Sequence, residues 1–136
     1  MGLFPYKFRK FQEELVESIA DSTSSASHLV LESGTGTGKT VCALAGTLDT
    51  ALKNDKKVLY LTRTNSQQHQ VMTELRKINE ITPVFGVAIQ GRQNTCPLVQ
   101  RDPDLRSGTP EELSKLCAEK KARAISDSEG GCRFYR

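Results

Sequence analysis

The chain has 136 residues and a mass of 15.0 kDa, the size of one domain or of one domain with a small appendage. Its 37% hydrophobic and 26% charged residues exclude a wholly disordered chain. An excess of 19 Lys and Arg over 16 Asp and Glu leaves a net charge of +3, a balance that permits a nucleic-acid partner without demanding one. No apolar run approaches the roughly 20 residues of a membrane span. The opening Met1-Gly2-Leu3-Phe4-Pro5-Tyr6-Lys7 lacks the apolar stretch of a signal peptide. The expected location is intracellular: cytoplasm or nucleoid, or the nucleus in a eukaryote. In that setting the four cysteines (Cys42, Cys96, Cys117 and Cys132) read as reduced thiols or metal ligands rather than disulfides.

In chain order, Phe8, Phe11, Leu15 and Ile19 recur at helical steps and predict a helix from Tyr6 to Asp21. A Ser/Thr stretch at 22–25 ends it as a loop. His28-Leu29-Val30-Leu31-Glu32 predicts a short buried strand. Lys39 to about Lys53 carries Val41, Leu44, Leu48 and Leu52 at helical spacing and predicts a helix. Lys57-Val58-Leu59-Tyr60-Leu61-Thr62 predicts a second strand. The next helix is expected to be capped by Asn65 or Ser66 and to bury Val71, Met72, Leu75 and Ile78. Val84-Phe85-Gly86-Val87-Ala88-Ile89 predicts a third strand. Alternating strands and helices predict an α/β fold with a parallel sheet and helices on both faces. Three strands make a small sheet with open edges, so the chain reads as part of a larger unit.

From Gly91 the character changes to a polar, proline-containing loop, expected to form a separate region over 91–136 after the strand-and-helix region over 1–90. One helix is expected there, with Thr109 as its cap, Pro110 in the first turn and Glu112 completing a capping box. On it Cys117 lies beside Leu113 and Leu116. Cys42, between Val41 and Leu44, reads as a small buried hydrophobe.

Ser33-Gly34-Thr35-Gly36-Thr37-Gly38-Lys39-Thr40 stands between a predicted strand and a predicted helix. Glycines allow backbone N–H groups to turn inward around a phosphate at the positive end of a helix. Lys39 would reach the β- and γ-phosphates of ATP and Thr40 would place its hydroxyl on Mg²⁺. Ser33 stands where this motif has its first glycine. No Asp-Glu dipeptide occurs in the chain, so the carboxylates that hold Mg²⁺ and position the attacking water are missing. The chain is expected to bind a nucleotide without hydrolysing it.

In order, these residues resemble the N-terminal portion of the XPD-like, iron–sulfur-containing DNA helicases of superfamily two, the archaeal type in particular. Arg9-Lys10-Phe11-Gln12 resembles the family's Arg-x-x-Gln ahead of the P-loop, which implies that Gln12, with Arg9, reads the adenine edge. From the residues alone, Gln12 would be an ordinary exposed glutamine. Leu61-Thr62-Arg63-Thr64-Asn65-Ser66-Gln67 resembles motif Ia, which implies phosphate contacts to single-stranded DNA from Thr62, Arg63 and Thr64. Gly91-Arg92-Gln93-Asn94-Thr95-Cys96, followed by Cys117 and Cys132, resembles the family's iron–sulfur domain. The resemblance implies three of the four thiolate ligands of a [4Fe–4S] cluster, with Arg92 beside the DNA. It also implies 5′-to-3′ translocation and a repair role for the longer protein.

Two other classes remain open at the level of the residues. A different P-loop enzyme would share Ser33–Thr40 but has no use for Thr62-Arg63-Thr64 or a cysteine-bearing insert. A zinc module is the third reading, although the spacings from Cys96 to Cys117 and from Cys117 to Cys132 are far longer than the Cys-x₂₋₄-Cys of structural zinc sites.

Overall fold

Helix ends in this chain are written by short polar signals. A computed structural model describes residues 2–135, and these divide into two units, one ending at Ala88 and the other beginning at Ile89. The first unit holds α1 (Gln12–Ser24), α2 (Lys39–Lys53) and α3 (Asn65–Asn79); the second holds α4 (Arg92–Thr95), α5 (Pro97–Arg101), α6 (Pro103–Ser107) and α7 (Pro110–Ile125).

α3 is capped by Thr64, one residue ahead of the expected Asn65 or Ser66. Its hydroxyl accepts from the Gln67 N–H at 3.2 Å, and the Gln67 side-chain oxygen accepts from the Thr64 N–H at 3.3 Å. This reciprocal pair satisfies two donors at once, which a single Asn or Ser cap would not. α7 begins as its sequence predicts: Thr109 accepts from the Glu112 N–H at 3.3 Å, and the Glu112 carboxylate accepts from the Thr109 N–H at 2.8 Å. The region expected to be a loop ahead of α7 instead contains three single-turn helices. Pro97 and Pro103 pre-set the backbone of a first helical turn, and the Asp102 carboxylate accepts from the N–H groups of Asp104 and Leu105.

α1 starts at Gln12 rather than Tyr6. Phe11 takes a left-handed conformation with φ of 66°, which an aromatic residue adopts only at a break in regular structure. The aromatic residues before it pack from an irregular segment: the Phe4 and Phe8 rings stack with centroids 4.3 Å apart, and Phe4 and Leu3 are buried. Phe11 itself is 64% exposed, with the Lys10 ammonium 4.8 Å from its ring centroid, and takes no part in the apolar face expected of it.

The core of the first unit lies where α1 and α3 pack on α2. Val16 and Ile19 of α1 meet Val41, Cys42, Leu44 and Ala45 of α2, with Val71 and Ile78 closing from α3. Gly46 permits the close approach of α1: a Cβ there would stand 2.7 Å from Ile19 Cγ2 and 2.9 Å from the Val16 carbonyl. Ser24 and Thr50 join the same two helices through their hydroxyls, 3.1 Å apart. In the second unit, Val99 and Leu113 are the buried apolar residues.

The expected parallel sheet is not formed. Among the described residues there is no strand. The three predicted strand segments run without regular secondary structure. Many of their apolar side chains face solvent: Val30 is 96% exposed, Leu59 and Leu61 are each 80% exposed, and Phe85 is 93% exposed. A strand exists only through a neighbour that takes its N–H and C=O groups, so a β-forming composition without a paired ladder leaves an irregular segment. No helix among the described residues is long and apolar enough to cross a membrane.

All four cysteines are free thiols. Cys42 is fully buried, and burial pushes its thiol pKa up, because the low-dielectric core disfavours the thiolate. Cys96, Cys117 and Cys132 are half-buried. Under native conditions near neutral pH, a thiol reagent is expected to label three cysteines and to reach Cys42 only after denaturation. Peptide mapping that finds Cys42 labelled in the folded chain as fast as the others would contradict this packing.

Candidate functional site

The Ser33–Thr40 loop enters α2 through Gly38, whose φ of 82° is left-handed, as is that of Gly36 at 77°. A Cβ at Gly38 would meet the Gln12 amide nitrogen at 2.6 Å, so both conformation and contact demand glycine there. α2 has no acidic residue in its first turn and no side-chain cap. The N–H groups of that turn, with the helix dipole behind them, form a positive end suited to an anion.

Within the loop the polar side chains are engaged with one another. The Lys39 ammonium donates to the carbonyls of Ser33, at 2.9 Å, and Gly34, at 2.5 Å. The hydroxyls of Ser33 and Thr37 lie 2.7 Å apart, and Thr37 Oγ1 also donates to the Gly34 carbonyl at 2.9 Å. Ser33 is thus not a neutral replacement for glycine: its hydroxyl bridges the two sides of the loop. Thr35 is exposed at the rim, and Thr40 lies half-buried in the first turn of α2. Lys39 holds the loop by its own carbonyls, contacts that phosphate oxygens would replace with ones in which both partners are charged.

Gln12 opens α1 and is buried, 7% exposed. Its amide nitrogen donates to the Thr37 carbonyl at 2.8 Å, and its oxygen accepts from the Arg9 N–H at 2.9 Å. The structure thereby brings Gln12 to the glycine-rich loop, with the Arg9 backbone on its oxygen, a placement that helical periodicity over Tyr6–Asp21 did not reveal. Each atom of the amide keeps one further hydrogen-bonding position.

Thr62, Arg63 and Thr64 precede α3 in the same unit. Thr64 is committed to the cap, Thr62 Oγ1 donates to the Thr64 carbonyl at 3.3 Å, and the Arg63 N–H donates to the Gln67 side-chain oxygen at 3.1 Å. The Arg63 side chain is exposed. Of the three, Arg63 has the charge and the reach to meet a phosphate.

In the second unit, Cys96, Cys117 and Cys132 line one small cavity of about 30 Å³, together with Arg92 and Lys120 and the aliphatic side chains of Leu98, Val99, Leu113 and Leu116. Arg92 donates to the Ser114 hydroxyl at 3.4 Å. The Cys132 N–H donates to the Lys120 carbonyl at 2.9 Å, which returns the chain after α7 to that helix. No three His, Cys, Asp or Glu side chains among the described residues are grouped so as to hold a metal ion. The cavity therefore collects three soft donors and two cations without closing a ligand set. Sequence reasoning selected these three cysteines, and the structure lines one cavity with all of them.

Comparison with known proteins bears on both units. Residues 9–129 match the DEAD/DEAH box helicase family. The ATP-dependent DNA helicase DinG of Photobacterium profundum is 36% identical over 96 residues, 65% of this chain and 14% of that protein. The ATP-dependent helicase DinG of Mycobacterium tuberculosis is 34% identical over 64 residues, 47% of this chain and 10% of that protein. The chain thus spans a small part of the length of these curated relatives. No solved structure matches it. The family match covers the P-loop, the Gln12 clasp and nearly all of both units, and the chain belongs to the DEAD/DEAH box helicases.

Proposed function

We propose that this chain is the nucleotide-binding portion of the motor of an ATP-dependent DNA helicase of the iron–sulfur-containing, XPD-like type, moving 5′ to 3′ on single-stranded DNA. The observation that carries the reading is the Ser33–Thr40 loop at the positive end of α2, clasped from behind by Gln12. The relatives' names, both ATP-dependent helicases, support the same chemistry.

ATP would seat its β- and γ-phosphates in the loop. Backbone N–H groups of Gly36, Thr37 and Gly38 would surround them, with Lys39 turned from the Ser33 and Gly34 carbonyls onto phosphate oxygens. Thr40 supplies the hydroxyl suited to Mg²⁺, which neutralises phosphate charge when bound. Gln12 holds the Thr37 carbonyl and Arg9 lies next to it, so the adenine end would be read beside the same clasp. Arg63 provides a sequence-independent phosphate contact to the strand, with Arg92 as a contact in the second unit. In the longer protein, ATP-driven closure of two motor domains would move the strand.

The donor chemistry around Cys96, Cys117 and Cys132 fits part of a [4Fe–4S] site: soft thiols from three chain segments face one cavity, and Arg92 and Lys120 offset the charge of a thiolate-bound cluster. Four ligands are the rule, and these cysteines supply three. When bound, such a cluster acts as a cross-link for a unit whose buried apolar residues are few. The zinc alternative uses the same cysteines and is separated by metal analysis.

Lys39→Ala is expected to weaken Mg²⁺–ATP binding about tenfold, at the lower end of what a charged hydrogen bond is worth, because Lys39 gives up two loop carbonyls to reach the phosphates. Calorimetry giving equal affinities for the two proteins would refute the loop as the nucleotide site. Mg²⁺-dependent turnover by the 136-residue chain is expected to be absent, since it has no Asp-Glu pair; turnover abolished by Lys39→Ala would overturn that expectation.

In a protein extended to include a fourth cysteine ligand, anaerobic preparation is expected to yield iron and acid-labile sulfide in near-equal amounts with a brown colour. Cys117→Ser should bleach it and leave ATP binding intact. A colourless protein, or one carrying only zinc, would exclude the cluster.

A further inference from the structure

Phe134 and Tyr135 are adjacent aromatic residues that remain 44% and 41% exposed. Large rings at this level of exposure keep much of their apolar surface in water, where it contributes nothing to a core. They are surrounded by cations instead. The guanidinium of Arg101, at the end of α5, stands 5.8 Å from the Phe134 ring centroid, and that of Arg133 stands 4.9 Å away. The ammonium of Lys121 in α7 lies 4.9 Å from the Tyr135 centroid. The pair is held in place by backbone: the Tyr135 N–H donates to the Cys132 carbonyl at 3.1 Å, and the Cys132 N–H to the Lys120 carbonyl. Three separate segments therefore deliver positive charge to one pair of exposed rings.

We propose that Phe134 and Tyr135, with Arg101, Lys121 and Arg133, form a platform on which bases of single-stranded DNA stack while the cations take the flanking phosphates. The rings keep apolar surface in water that a base can cover, the long flexible cations moving aside from the rings onto the flanking phosphates. This combination of stacking surface and phosphate-complementary charge is the one that single strands use. The choice of DNA as the occupant rests on the helicase reading. The platform is distinct from the Arg63 and Arg92 contacts, because it depends on bases as well as phosphates. It predicts sequence-tolerant binding that weakens as salt rises.

The test uses the 136-residue chain and two labelled strands of about 12 nucleotides, within the usual site-size range: oligothymidine and an abasic deoxyribose-phosphate strand of equal charge. Fluorescence anisotropy at low salt is expected to show oligothymidine bound about tenfold more tightly. Phe134→Leu/Tyr135→Leu should bring oligothymidine down to the abasic level, while Phe134→Tyr/Tyr135→Phe, which keeps both rings, should retain the preference. Matching circular dichroism of the three proteins guards against misfolding. Equal binding of the two strands by the wild type, undiminished oligothymidine binding by the double-Leu variant, or no strand binding at all overturns the platform. ATP binding is measured on the same preparations. Lys39-dependent ATP binding with no base preference refutes the platform and spares the helicase reading. Base-dependent strand binding without ATP binding does the reverse.

Discussion

A buried carboxamide must have both of its ends paired, and in this chain that requirement ties the start of α1 to the phosphate loop. Gln12 is sealed between Arg9 and Thr37, accepting from one backbone and donating to the other. Leaving either end unpaired would cost on the order of 1–3 kcal/mol, so the loop and the helix are held together. The packing of Val16 and Ile19 on α2 fixes α1 in place, and Gln12 transmits that placement to the Thr37 carbonyl. Phosphate loop, clasp and core are therefore one mechanical unit. The residue that opens α1 is thus also the one that holds the Thr37 carbonyl of the glycine-rich loop.

The ligand-free loop is stabilised by contacts that a nucleotide would have to displace. Lys39 rests on two carbonyls, and Ser33 bridges to Thr37. These bonds pair the loop's donors and acceptors, and they are weaker than bonds to a triphosphate in which both partners are charged. The difference between the two sets, rather than the full strength of either, is what binding can express.

The two units solve the problem of limited apolar content in different ways. In the first, α2 is buried against both α1 and α3, while the apolar segments at 28–32, 57–62 and 84–89 stay largely unburied. Membership of the DEAD/DEAH box helicases implies a P-loop NTPase fold, whereas these segments form no strand among the described residues. In the second unit, Val99 and Leu113 are the buried apolar residues, and three thiols meet at a cavity beside them.

What the chain's order of residues determined by itself was local. The Gly-rich loop ending in Lys39-Thr40, the helix from Lys39 to Lys53, the Thr109–Glu112 capping box and the burial of Cys42 all depend on neighbours within a few positions, and each was legible. The Thr64 cap was missed by one residue because Asn and Ser compete with Thr on propensity, and only the reciprocal bond with Gln67 decides among them. Tertiary structure alone decided the rest. The start of α1 was set by aromatic packing of Phe4 and Phe8, which helical periodicity cannot distinguish from a helix face. The clasp of Gln12 on Thr37 joins residues 25 positions apart, and the pairing of Arg101 with Phe134 spans further still. Strands were the largest difference, for a physical reason: a helix satisfies its backbone from its own sequence, whereas a strand depends on a partner that no local pattern can supply.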